Sequence, residues 1–110
     1  MRVKELVEKI DLEVVVKADL DKKITGVYCG DLLSNVMARA KSGDLWLTIQ
    51  SHQNVVAVGL LSEVSAVIVV EGFSVEEDAI KRAEEKGVNI LKTDKKAYEL
   101  AGELYEMGIK

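Results

Sequence analysis

Ala66-Val67-Ile68-Val69-Val70 is a run of five apolar residues, four of them β-branched, with no polar residue among them. A strand that faces water on one side alternates apolar and polar residues, so an unbroken run of this kind has to be covered on both faces. The architecture that does so is a largely parallel sheet between layers of helix. The flanking residues agree. Glu71-Gly72-Phe73 forms a turn, and Ser74-Val75-Glu76-Glu77 has the form of a capping box opening a helix. That helix turns Val75, Ala79, Ile80 and Ala83 inward and ends at Gly87, after which Val88-Asn89-Ile90-Leu91 is the next strand. Thr93 is then placed to cap a last helix, with Ala97, Tyr98, Leu100, Ala101, Leu104 and Tyr105 on its inner face before Gly108.

Upstream the same alternation continues. Val3, Leu6, Val7 and Ile10 fall at helical spacing, so residues 3–10 read as a short amphipathic helix. Leu12–Val16 and Ile24–Tyr28 are strand candidates, and the polar turn Asp19–Lys23 between them suits a hairpin. Asp31 is placed to cap a helix carrying Leu32, Leu33, Val36 and Met37, with a stop at Gly43. Leu45–Ile49 is a further strand. After the break at Ser51-His52-Gln53-Asn54, the segment 55–61 has strand-like residues but lies between two stronger strands, so residues 53–63 are expected to be a buried helix. Right-handed crossovers make the strands near 45–49, 66–70 and 89–91 parallel. The expected fold class is α/β, a small mostly parallel sheet with strand-helix repeats, in one domain spanning residues 1–110.

Composition narrows the function. The 110 residues carry 15 Lys and Arg against 19 Asp and Glu, a net charge of -4 with both signs mixed along the helices, which argues against nucleic acid as a partner. One cysteine forbids an internal disulfide, and one cysteine with one histidine is too few soft ligands for a structural zinc site. No apolar run reaches the ~18 residues of a membrane span, and the charged, amphipathic start is unlike a signal peptide. A cytoplasmic protein without a cofactor and without a membrane partner is expected. Phosphate-loop, dinucleotide, zinc-protease and nucleophile-elbow signatures are all absent. Glu76-Glu77-Asp78 and Glu84-Glu85 belong to a solvated helix face and to the helix dipole.

In a parallel sheet the strand C-terminal ends face helix N-termini, whose free N–H groups favour anions. Three such junctions occur, at Thr48–Asn54, Glu71–Ser74 and Lys92–Asp94. If they converge, Thr48, Gln50, His52, Asn54 and Thr93 line one crevice for a small polar ligand. Ser74 and Thr93 also have the simpler reading of helix caps. Trp46 and Tyr28 read as core or interface aromatics, and Cys29 as an inert buried thiol.

The stretches Asp21–Tyr28, Gly30–Met37, Gly43–Val58 and Leu91–Asp94 resemble the DRTGG domain family. Its name motif stands here as Ile24-Thr25-Gly26-Val27, which keeps Thr-Gly without the second glycine. The resemblance covers nearly the whole chain and implies a small α/β domain similar to the N-terminal domain of HPr kinase/phosphorylase and to segments of phosphotransacetylases and CBS-domain pyrophosphatases. In such proteins the domain is an accessory regulatory or assembly module, and the kinase's phosphate loop lies in another domain, so no kinase activity is implied. Carried over by resemblance, Thr25, Gly26, Asp31, Ser34, Thr48, Gln50, His52, Asn54, Thr93 and Asp94 are candidate ligand-binding or interface positions.

The expected function is a non-catalytic regulatory or assembly module, homodimeric because of the apolar segments 27–37 and 55–61, and sensing a small anionic ligand such as a nucleotide or phosphorylated metabolite. Its expected partners are a second copy and a separately encoded metabolic or signalling enzyme. Two alternatives stand beside it: a sensor with no dimeric scaffold role, and a small enzyme using His52 or Cys29.

Overall fold

A computed structural model describes residues 1–110. The elements are α1 (Val3–Lys9), β1 (Glu13–Val16), β2 (Gly26–Cys29), α2 (Leu33–Arg39), β3 (Asp44–Thr48), α3 (Asn54–Leu61), β4 (Ala66–Val69), α4 (Glu77–Lys86), β5 (Ile90–Lys92) and α5 (Ala97–Glu106). The five strands form one sheet in the order β1-β5-β4-β3-β2. Strands β2 to β5 are parallel and lie side by side in chain order, while β1 runs antiparallel to β5.

The unbroken apolar strands are explained by two cores, one on each face. Leu45, Leu47, Ala66, Ile68 and Leu91 turn toward α1 and α5, where Val3, Leu6, Leu100 and Leu104 meet them. Trp46, Val67, Val69 and Ile90 turn the other way, toward Val36 of α2, Val55, Val56 and Val58 of α3, and Ala79 and Ala83 of α4. Successive residues of β3 and β4 thus enter opposite cores, as strand geometry requires. Helix α3 is uncharged and sits in the middle of its layer. Gly59 lets it approach β4 closely, since a Cβ there would stand 3.2 Å from Val67 Cγ2. No helix is long and apolar enough to cross a membrane.

Three sequence expectations need correction. The hairpin between the first two strands does not form, because β1 and β2 occupy opposite edges of the sheet. Residues 17–25 instead run beneath the strand N-terminal ends. They are held there by bonds from Val3 N to Lys22 O (3.0 Å), from Lys4 N to Leu20 O (2.8 Å) and from Thr25 N to Gly43 O (2.9 Å), and by the buried Asn89 side chain. Ser74 does not cap α4. Glu76 is the N-cap residue, in extended conformation, and its N–H donates to Ser51 O at 3.0 Å, so the helix starts only at Glu77. On α5, Tyr98 and Tyr105 face solvent, with 90% and 61% of their surface exposed. The i, i+4 pair Leu100 and Leu104 sets the buried face, with Ala97 and Ala101 beside it. Lys110 Nζ lies 4.7 Å from the Tyr105 ring centroid, a cation-π contact.

Candidate functional site

At the C-terminal ends of β2 and β3, Asp31 joins two loops. Its Oδ1 accepts from Thr48 Oγ1 at 2.8 Å and from Ile49 N at 2.9 Å, and its carbonyl accepts from Gln50 Nε2 at 3.0 Å. Thr48 Oγ1 in turn accepts from Gln50 N at 3.1 Å. Asp31 is therefore not the helix cap expected from its position. Leu32 is the N-cap residue and has no side-chain cap, because the carboxylate is already committed across the sheet.

Beside this knot lies a cleft of about 210 Å³ lined in part by Cys29, Asp31, Thr48 and Glu71. Two carboxylates on its wall make it a poor place for an anion. Cys29 is exposed, not buried as expected, since β2 is an edge strand and ends there. Partial burial of its thiol and, to a lesser extent, the Asp31 carboxylate push its pKa above the ordinary value, which lowers the thiolate fraction.

The other candidate residues do not share that cleft. His52 Nδ1 accepts from Asn54 N at 3.3 Å, and neither Cys29 nor a carboxylate is hydrogen-bonded to the ring. Thr93 is buried and its Oγ1 accepts from Lys95 N at 3.2 Å, so it shapes a turn; the N-cap of α5 is Lys96. Thr93 and Asp94 border a separate hollow of about 410 Å³ with Asp11, Glu13, Lys92 and Lys95. Bonds from Glu71 N to Lys95 O (2.8 Å) and from Gly72 N to Thr93 O (3.0 Å) zip the β4–α4 and β5–α5 loops together. That backbone pairing joins the second and third junctions and leaves Thr93 and Asp94 apart from the cleft at Thr48 and Glu71.

Thr25 and Gly26 lie at the opposite end of the sheet. Thr25 Oγ1 donates to Ser42 O at 3.0 Å, and Gly26 packs so tightly on Asp44 that a Cβ would come within 2.7 Å of Oδ1. Ser34 is exposed on α2. The one crevice expected from the junctions is thus replaced by separate places, with Asp31, Thr48 and Gln50 joined in one network and His52 bonded to Asn54 apart from it.

Sequence reading missed the groove between α3 and α4. About 390 Å³ in volume, it is lined by Gln53, Asn54, Val56, Ala57, Leu60, Leu61, Arg82 and Lys86, with no carboxylate among them. Leu61 keeps 75% of its surface exposed. Near the head of the groove, the N–H groups of Ser51, His52 and Gln53 donate to nothing in the chain. The available signal was the Arg82 and Lys86 pair at i, i+4, which shares one side of α4. Only the packing of α3 on α4 gives that pair an apolar floor. No group of three or more His, Cys, Asp or Glu side chains is gathered to hold a metal ion.

The fold and this layout define an α/β domain with helices on both faces of a mostly parallel sheet. The chain belongs to the DRTGG domain family, whose sequence model matches residues 5–107. Among solved structures, it is similar to the CBS and DRTGG domains of the regulatory region of Clostridium perfringens pyrophosphatase, crystallised with the activator diadenosine tetraphosphate. The TM-score is 0.67 at 14% identity, covering 94% of this chain and 45% of that one, so the likeness is one of fold. The chain spans less than half the length of that relative. No curated protein sequence matches it.

Proposed function

We propose that this chain is a regulatory module that senses a small anionic ligand, a nucleotide being the first class to try, and that it works as a homodimer. Membership of the DRTGG family and the fold shared with a nucleotide-activated regulatory region support the regulatory part. The observation that carries the ligand class is the α3–α4 groove, where Arg82 and Lys86 border an apolar floor free of carboxylates. Such a groove suits a ligand with a flat or apolar body and a phosphate, the phosphate lying against the cations. The receiver proposed for the signal is a metabolic or signalling enzyme.

A thermal-shift series with nucleotides and sugar phosphates tests this reading. A ligand at about 100 times its dissociation constant adds about 2.7 kcal/mol of stability. The double variant Arg82→Glu, Lys86→Glu abolishes that shift, whereas His52→Ala with Thr93→Ala leaves it in place. Absence of a shift with every compound removes the sensor reading. A shift that survives the charge reversal moves the ligand out of the groove. Light scattering at micromolar concentration gives twice the 12.1 kDa chain mass if the homodimer part holds, and a 12.1 kDa species alone removes it.

A further inference from the structure

The two edges of the sheet are built differently. At one edge, β1 carries Glu13 and a register shift between Val14 and Val16, a bulge of the kind that blunts an open edge. At the other, β2 is Gly26-Val27-Tyr28-Cys29, with no charge, no proline and an unbroken register against β3. Tyr28 pairs with Trp46, and the next even residue, Gly30, donates its N–H to Leu47 O at 3.1 Å. By the alternation of a β ladder, the N–H and C=O groups of Val27 and Cys29 therefore point away from the sheet. Alongside this edge lies α2, whose Leu33 and Val36 pack in the same core as Tyr28. Leu32 and Met37 nevertheless expose 63% and 50% of their surface.

We infer that the β2 edge, together with the outer side of α2, is the surface on which a second copy of this chain docks, antiparallel and about a twofold axis near Tyr28. The inference rests on the homodimer reading above and names its interface. Three features select a copy as occupant. An uncharged edge strand is complementary to itself when reversed, Val27 facing the partner's Cys29 and each such pair exchanging both backbone hydrogen bonds. The same axis brings Leu32 of one copy toward Met37 of the other, which covers apolar surface that a monomer leaves wet. Charge is compatible as well: the single formal charge on α2 is Arg39, in its last turn, and Asp31 precedes its first. An antiparallel α2 pair sets each Arg39 toward the acidic, N-terminal end of the partner helix, while the Asp31 carboxylate stays bonded to Thr48 and Ile49 within its own copy.

The test combines mass and register. Val27→Pro removes one outward donor, and Leu32→Glu with Met37→Glu charges the exposed side of α2. Each is expected to weaken dimerisation by about thirtyfold or more, the loss typical of an interface hot spot, with circular dichroism and Trp46 emission unchanged. If Val27→Pro fails to fold, the α2 variant and the following cross-link decide. Hydrogen-bonded antiparallel pairs have Cα atoms ~5.5 Å apart, within disulfide range. Val27→Cys should thus oxidise to a covalent dimer through the partner's Cys29, and Val27→Cys with Cys29→Ser should not. A wild-type dimer that persists in both interface variants and does not cross-link overturns this interface and leaves the homodimer reading standing. A wild-type monomer overturns both.

Discussion

Asn89 is buried with all of its side-chain hydrogen-bonding capacity on the protein used from a single position. Its Oδ1 accepts from Ala18 N at 2.9 Å and Asp19 N at 2.8 Å, while Nδ2 donates to Asp19 O at 2.6 Å and Ser65 O at 2.9 Å. These bonds hold the crossing segment against the N-terminal ends of β4 and β5. Asn89→Leu strands those backbone groups in the interior and should cost about 3 kcal/mol, read as a lower urea midpoint in Trp46 emission. Nothing in the sequence distinguishes this asparagine, because its partners lie 24 to 71 residues away. Cys29 gives a second prediction at this scale. Burial and the negative Asp31 both disfavour the thiolate, so alkylation of Cys29 by iodoacetamide should show a midpoint pH above that of a free thiol. Asp31→Asn removes the repulsion and should move the midpoint down; an unchanged profile would mean that Asp31 has no part in it.

Among the elements, strands and helices with one dominant signal were legible. The apolar runs of β3 and β4 could only be doubly covered strands, and the glycine after α4 was a readable stop. Gly87 has φ 77°, the left-handed conformation, and no atom stands within 4 Å of a Cβ placed there. Gly87→Ala is accordingly a test of backbone strain alone, expected to destabilise by about 1 to 2 kcal/mol in chemical denaturation. The helix starts were less legible. Asp31, Ser74 and Thr93 all have the side chains of N-caps, yet Leu32, Glu76 and Lys96 occupy those positions. Asp31 is drawn away by Thr48 and Ile49, Glu76 is extended and bonded to Ser51, and Thr93 turns the chain at Lys95. A capping preference worth about 1 kcal/mol is readily outweighed by such tertiary bonds.

For the molecule as a whole, the sheet is the shared wall of two cores, so neither core can open without exposing the other side of the same strands. Unfolding followed by Trp46 emission and by far-ultraviolet circular dichroism should therefore coincide in one transition. Two separated midpoints would show that the α1–α5 layer and the α2–α3–α4 layer melt independently. The sequence by itself determined the α/β class, the parallel run from β3 to β5 and the apolar faces of most helices, because hydrophobic periodicity and strand-helix alternation are local signals. It also marked Thr48 and Gln50, since their polarity contrasts with the segments around them. Tertiary structure alone decided that β1 closes the sheet beside β5 instead of pairing with β2, that Asp31 locks two loops, that Thr48 and Thr93 border separate hollows at the strand ends, and that Arg82 and Lys86 acquire an apolar floor from α3. Each of these depends on which distant backbone or side-chain group satisfies a hydrogen bond or covers an apolar surface, and that choice is made only when the chain closes on itself.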